Sequence, residues 1–222
     1  AIEILQEVTT RHRPAAEALK DWGKAHRFAG AGDRHAIGTL VYDSLRHRAR
    51  AAYRMNSDAP RAIVLATLRD NWGMTASEIA ALADGEHGPA AITEAEGAAL
   101  SRDVAAAPPH VAGDIPQWLV PSLTRVFGDG LAAEGAALAA RAPIDLRANT
   151  LKADREKVLA GLARFGAVAG PLSPTCVRIS APGPEQKHVS VETEPAHGMG
   201  WFEVQDAASQ IAAALTNVKP GE

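Results

Sequence analysis

A change of rhythm at Pro143 constrains this chain more than any other feature. Ahead of it, apolar residues recur at helical spacing, and strand signals are absent before residue 105. Behind it, short alternating runs and helical runs take turns. Ile2, Leu5 and Val8 share one face of a short helix. Pro14 suits a first helical position, with Leu19 and Trp22 following. Asp33 opens a long periodic stretch, DRHAIGTLVYDSLRHRARAAYRM, whose apolar stripe is Ile37, Leu40, Val41, Leu45 and Ala49. Arg46, Arg50 and Arg54 recur every fourth residue on another face of it. The run AIVLATL within residues 60–70 predicts a buried helix, and Thr75 with Glu78 and Thr93 with Glu96 predict capping boxes. The 47 alanines reinforce the helical reading, because Ala loses no side-chain entropy on ordering.

Residues 105–116, AAAPPHVAGDIP, predict a linker or exposed crossing, since paired prolines cannot continue a helix. QWLVPSLTRVFG and LAAEGAALAARA then predict two connecting helices, with Trp118, Leu119, Leu123, Val126 and Phe127 spaced as a core stripe. After Pro143, IDLRANT predicts a strand. Asp154 caps a helix, REKVLAGLARF, that ends at Gly166. TCVRIS, HVSVE and GWFEVQ predict further strands, and DAASQIAAAL a last helix. The fold class is mainly α with a small α+β part. The divisions fall at 1–105, 106–142, 143–200 and 201–222. The chain has no initiator Met and stops at a Pro-Gly that normally leads into another element, so it is expected to be part of a longer protein.

Several chemistries are disfavoured by what the residues offer. The lone Cys176 can form no internal disulfide and no cysteine-based zinc site, and it fits a reducing compartment. In a strand pattern it reads as a small buried hydrophobe. No run of about 18 apolar residues predicts a membrane span, and the first residues lack the makings of a secretory signal. The histidines show no metal-ligand spacing, and no nucleophile elbow or phosphate-binding glycine loop is present. Gly198-Met199-Gly200 reads as a turn.

The net charge of −3 conceals an uneven distribution. Residues 1–56 carry ten Lys or Arg against six acids, whereas residues 57–116 carry three against nine. Arg46, Arg48, Arg50 and Arg54, with His47, fall within about two helical turns, and Lys24, Arg27 and Arg34 lie just upstream. Arginine suits phosphate because its fork donates two hydrogen bonds at once. A phosphate-binding face and a merely solvated helix face both remain open at this point.

Three stretches together resemble a known family. They are FAGAGDRHAIGTLVYDSLRHRARAAY; PQWLVPSLTRVFG with APIDLRANTLKADREKVLAGLARFG; and GMGWFEVQDAASQIAAALTNVKPGE. The first is similar to the NusB-like helical RNA-binding domain. All three, in this order, resemble the RsmB/Sun (Fmu) family of ribosomal RNA cytosine-5 methyltransferases. The resemblance implies a NusB-like all-α domain followed by a small RRM- or ferredoxin-like α/β subdomain. It implies a cytoplasmic protein with ribosomal RNA as partner and S-adenosylmethionine as the parent enzyme's cofactor. The family's Rossmann-like domain, with its two catalytic cysteines, is expected beyond residue 222. No catalytic residue is therefore assigned here, and the chain alone is expected to be inactive.

Arg34, Arg46, Arg48, Arg50 and Arg54 are the candidate RNA contacts of the helical part. Arg147 and Asn149 match the family's R-x-N element, which implies an RNA-facing role; a turn closed by the Asn is the alternative. Gln205, Asp206 and Ser209 match the QD-x-x-S element that borders the cofactor pocket. There a helix start could orient the cofactor's methionine part through free N–H groups, unless Asp206 is simply a cap. A stand-alone NusB-like antitermination adaptor is the alternative function.

Overall fold

A computed structural model describes residues 1–183 and 189–219. The chain divides into two units, Ala1–Ala140 and Arg141–Glu222. The first is all helix: α1 (Ile2–Arg11), α2 (Ala15–Ala25), α3 (Ala31–Arg46), α4 (Arg48–Met55), α5 (Pro60–Asp70), α6 (Ala76–Ala83), α7 (Glu94–Ser101), α8 (Pro109–Ala112), α9 (Val120–Phe127) and α10 (Leu131–Ala139). Its core is organised around α5. Every residue from Ala62 to Leu68 is buried there, as expected of a helix apolar on all sides. Ile4 and Leu5 of α1, Val41 of α3, Ala51 and Met55 of α4, Ile79 of α6 and Leu100 of α7 complete it. Both capping boxes form: Thr75 and Thr93 accept from the N–H of Glu78 and Glu96, and those carboxylates accept in return from the N–H of Thr75 and Thr93.

Three expectations for this unit are corrected. The long arginine-bearing stretch is two helices that break at His47, because Asp114, far along the chain, caps α4 by accepting from Arg50 N–H at 3.0 Å. The segment expected as linker includes α8, which packs on α10 and α4 and buries Val111, with Ile115 buried just beyond. Gly135 of α10 has no space for a Cβ, which would lie 2.5 Å from Gly113 O and 2.8 Å from the Ile115 side chain. Finally, the stripe from Trp118 to Phe127, on α9 and the 3-10 turn Gln117–Leu119 before it, is not core: none of its residues is buried, and Trp118 and Val126 are 77% and 73% exposed.

The second unit begins with β1 (Ile144–Ala148), followed by α11 (Arg155–Gly161), β2 (Val168–Ala169), β3 (Cys176–Ile179), α12 (Pro195–Gly198), β4 (Phe202–Val204) and α13 (Ala207–Leu215). The strand order is β2-β3-β1-β4 with every neighbour antiparallel. Together with the β-α-β-β-α-β succession, this is the ferredoxin-like arrangement. Asp154 caps α11 by accepting from Lys157 N–H at 2.8 Å, and Gly166 closes the following turn at φ 68°. The alternation of the strands puts Leu146, Val177, Ile179 and Phe202 on one face, where they form a core with Val158 and Leu162. Asp145, Arg147, Cys176 and Arg178 point to the other face.

The expected strand HVSVE is corrected for its described residues; His188 lies outside them. Val189 and Ser190 are not in a strand, and Val191–Thr193 form a 3-10 turn that buries Val191 in the core. Both sides of β3 are already paired, one with β1 and the other with the short β2. The stretch from residue 201 supplies β4 to this same sheet through its pairing with β1. Pro220, Gly221 and Glu222, the expected lead into a further domain, also lie outside the described residues.

Candidate nucleic-acid interface

In the helical unit, the break at His47 turns the arginines in different directions. Arg46 reaches back to Asp43 at 3.2 Å, and Arg48 meets Asp58 at 3.5 Å with both side chains well exposed. Arg50 donates from Nε to Asp114 Oδ2 at 2.6 Å, beside His47 Nδ1 at 3.0 Å from the same oxygen. Asp114 is wholly enclosed and holds the left-handed conformation at φ 52°. Arg50 therefore braces a structural joint as well as facing water. Arg46, Arg48 and Arg50 keep 35%, 48% and 35% of their side-chain surface exposed.

Arg54 leaves the candidate set. Its side chain is 8% exposed, its Nε donates to Asp70 Oδ2 at 2.7 Å, and Nη1 donates to Arg102 O at 2.7 Å. The i+4 periodicity that aligned it with Arg46 and Arg50 carries it under α7, against the carbonyls that end that helix. Arg34 is exposed; its Nε donates to Ala29 O at 2.9 Å, which fixes the guanidinium over the loop ahead of α3.

On the sheet, Arg147 is exposed, and its guanidinium has no hydrogen bond or ion pair among the described residues. Asn149 is a turn residue. Its Nδ2 donates to Gly200 O at 3.0 Å and its Oδ1 accepts from Leu151 N–H at 3.3 Å, so the amide ties the end of β1 to the segment leading into β4. Sequence reasoning passed over the neighbouring Asp145. This buried carboxylate accepts two bonds from Arg178, at 2.7 and 2.8 Å, and one from Ala207 N–H at 3.1 Å. The Arg178 guanidinium, and then the Ala207 N–H, hold its pKa below the ordinary 3.8. The alternation in IDLRA places this acid on the face away from the core, so its burial was not legible; it comes from the start of α13, whose Ala207 N–H reaches it there.

The start of α13 does not fit the role expected of it. Ala207 N–H is taken by Asp145, and the N–H groups of Ala208 and Ser209 by Asp206 Oδ1 at 2.8 and 3.4 Å. No N–H remains in that first turn to hold the carboxylate of a methionine moiety, which corrects the expectation of free donors. Asp206 is the helix cap. Gln205 keeps a buried Oε1 without a hydrogen-bond partner, an acceptor that cannot replace those donors. Cys176 is fully buried, and burial pushes its thiol pKa upward. Among the described residues no group of three or more His, Cys, Asp or Glu is arranged to hold a metal, and no helix is long and apolar enough to cross a membrane.

The chain is a helical unit carrying exposed arginines, followed by a ferredoxin-like sheet with Arg147 and Arg178 on its second face. Residues 115–186 match the family model of the RsmF/B-like methyltransferase ferredoxin-like domain. Over that third of its length the chain resembles an RsmF/B-like ferredoxin-like domain, in keeping with the resemblance to the RsmB/Sun family. The crystal structure of PH0851 shares the fold with a TM-score of 0.56 at 18% identity, over 100% of this chain and 55% of that one. The chain thus spans little more than half the length of the solved protein it matches. No curated protein matches it in sequence.

Proposed function

We propose that this chain is the RNA-recognition, N-terminal portion of an S-adenosylmethionine-dependent ribosomal RNA cytosine-5 methyltransferase, acting in the cytoplasm. The observation that carries the reading is the RsmF/B-like match over residues 115–186, which hold three of the four strands of the ferredoxin-like sheet. The helical unit is read as NusB-like with Arg34, Arg46, Arg48 and Arg50 as its phosphate contacts, and Arg147 is read as a phosphate contact of the ferredoxin-like unit. Arg48 and Arg147 are the cleanest of these: one has only a loose surface ion pair and the other has none among the described residues. An exposed pair of that kind contributes about 0–1 kcal/mol, so phosphate can displace Asp58 at little cost. The family's use of S-adenosylmethionine supports the cofactor assignment for the parent enzyme. The first N–H groups of α13 are already taken by Asp145 and Asp206 and do not anchor that cofactor, so this chain is expected to bind RNA without transferring a methyl group.

The test is RNA binding as a function of salt, with a ribosomal hairpin and an unrelated duplex as probes. Each phosphate contact contributes a slope of about −0.7 to −0.9 in log K against log salt. Arg48→Glu with Arg147→Glu should flatten that slope and weaken binding to the hairpin. Arg50→Glu is the wrong probe, because it would also disrupt the cap that Asp114 provides to α4. A wild-type chain with no affinity at low salt would overturn the reading.

A further inference from the structure

The loop between α2 and α3 carries a large aromatic ring that the fold does not use. Phe28 is 80% exposed, while the helical core around α5 closes without it. Its surroundings are ordered. Trp22 stacks on His26 with ring centroids 4.3 Å apart and planes 12° apart, and His26 meets Phe28 in a T-shaped contact at 5.7 Å. Trp22 Nε1 donates to Glu3 Oε2 at 2.9 Å, which pins this stack to α1. His26 Nδ1 lies 2.9 Å from Trp22 O, which fixes the imidazole on which Phe28 leans. The result is a braced ring with an open face.

Two arginines lie close to Phe28 along the chain. Arg27 precedes Phe28, is exposed, and has no ion pair or side-chain hydrogen bond among the described residues. Arg34 is held in place by Ala29 O, from the residue next to Phe28. An exposed aromatic in the same short segment as two exposed arginines matches the chemistry of an unpaired nucleotide: the base stacks on the ring and the phosphates meet the guanidinium groups. Duplex RNA does not match, because its base faces are already stacked inside the helix. A protein partner fits the ring but leaves the two arginines unanswered.

Resting on the reading of this chain as an RNA-binding portion, we infer that Phe28, with Arg27 and Arg34, forms a stacking site for one unpaired base of single-stranded RNA. The test uses the full 222-residue chain and a short oligoribonucleotide carrying a 2-aminopurine, whose fluorescence is quenched on stacking. Base stacking on an aromatic side chain predicts a loss of roughly 5- to 150-fold in single-strand affinity for Phe28→Leu, together with loss of quenching. Phe28→Trp should retain both, and binding to a blunt duplex should be indifferent to either change. Because Phe28 is exposed, circular dichroism of the variants should match the wild type. If Phe28→Leu binds the single strand as tightly as wild type, with other RNA binding intact, the stacking site is refuted while the broader RNA reading stands. If the wild-type chain binds neither single strand nor hairpin, both fall together.

Discussion

Replacing Asp145 by Asn removes a single negative charge from the middle of the sheet and leaves its shape almost untouched. In the native protein that carboxylate accepts bonds of 2.7 and 2.8 Å from Arg178 and of 3.1 Å from Ala207 N–H. A hydrogen bond to a charged group contributes about 1.5–3 kcal/mol. With its amide oxygen in the place of Oδ2, Asn keeps the bonds from Arg178 Nη2 and Ala207 N–H without their charge, and its NH₂ faces Arg178 Nε, so one of the three bonds is lost outright. Arg178 is 30% exposed and can take up water in compensation. The expected net loss is therefore about 2–3 kcal/mol, one charged bond gone and two weakened by the loss of charge. Native-state hydrogen exchange at the amides of β1 and β3 measures it locally, as a fall in the free energy of opening.

The same substitution carries a pH signature. The pKa of Asp145 is depressed, first by Arg178 and then by the Ala207 N–H, so its stabilisation is complete above 3.8 and is lost as pH falls through the lower folded value. The gap between wild type and Asp145→Asn should be full at neutral pH and should close in acid below that point. Unchanged opening at neutral pH in the variant, or a gap that widens in acid, would refute the reasoning.

Two further predictions follow from packing. Gly135→Ala places a methyl group 2.5 Å from Gly113 O and 2.8 Å from Ile115, so α10 must move off α8, at about 1–3 kcal/mol by urea titration; a neutral result would mean the contact yields freely. Cys176 is fully buried with its pKa raised, so the native chain should react with a thiol reagent only slowly and rapidly once unfolded, which a colourimetric thiol assay would show.

What the sequence disclosed was local. Thr75 and Thr93 lie three residues from their glutamates, so each capping box is complete within a single turn and both formed as read. Leu146 and Val177 showed their strands by alternation, and α5 showed its burial by an unbroken apolar run. What stayed hidden depends on partners far along the chain. The break at His47 is set by Asp114, and the burial of Arg54 by Asp70 and Arg102; neither can be inferred from an arginine every fourth residue. The stripe on α9 has the periodicity of a core helix, but periodicity records an apolar face and not what lies against it. Phe28 was read only as one letter of a family resemblance, although its arginine neighbour was a usable signal. Which arginines the fold leaves available to a phosphate was not legible, because that requires knowing which guanidinium groups it has already committed.

The strand order also dictates a sequence of events in time. β1 is the first strand to be synthesised, yet it lies inside the sheet, with Leu146 paired to Val177 on one side and Val204 on the other. While the chain is being made, one flank of β1 stays open until residues 202–204 emerge, a row of unpaired N–H and C=O groups able to capture a neighbouring nascent chain. Any piece of this protein cut for expression between residues 180 and 201 would carry that open flank permanently. The ferredoxin-like unit should accordingly be cut no earlier than the end of α13, whose first turn is bonded to the same strand through Asp145.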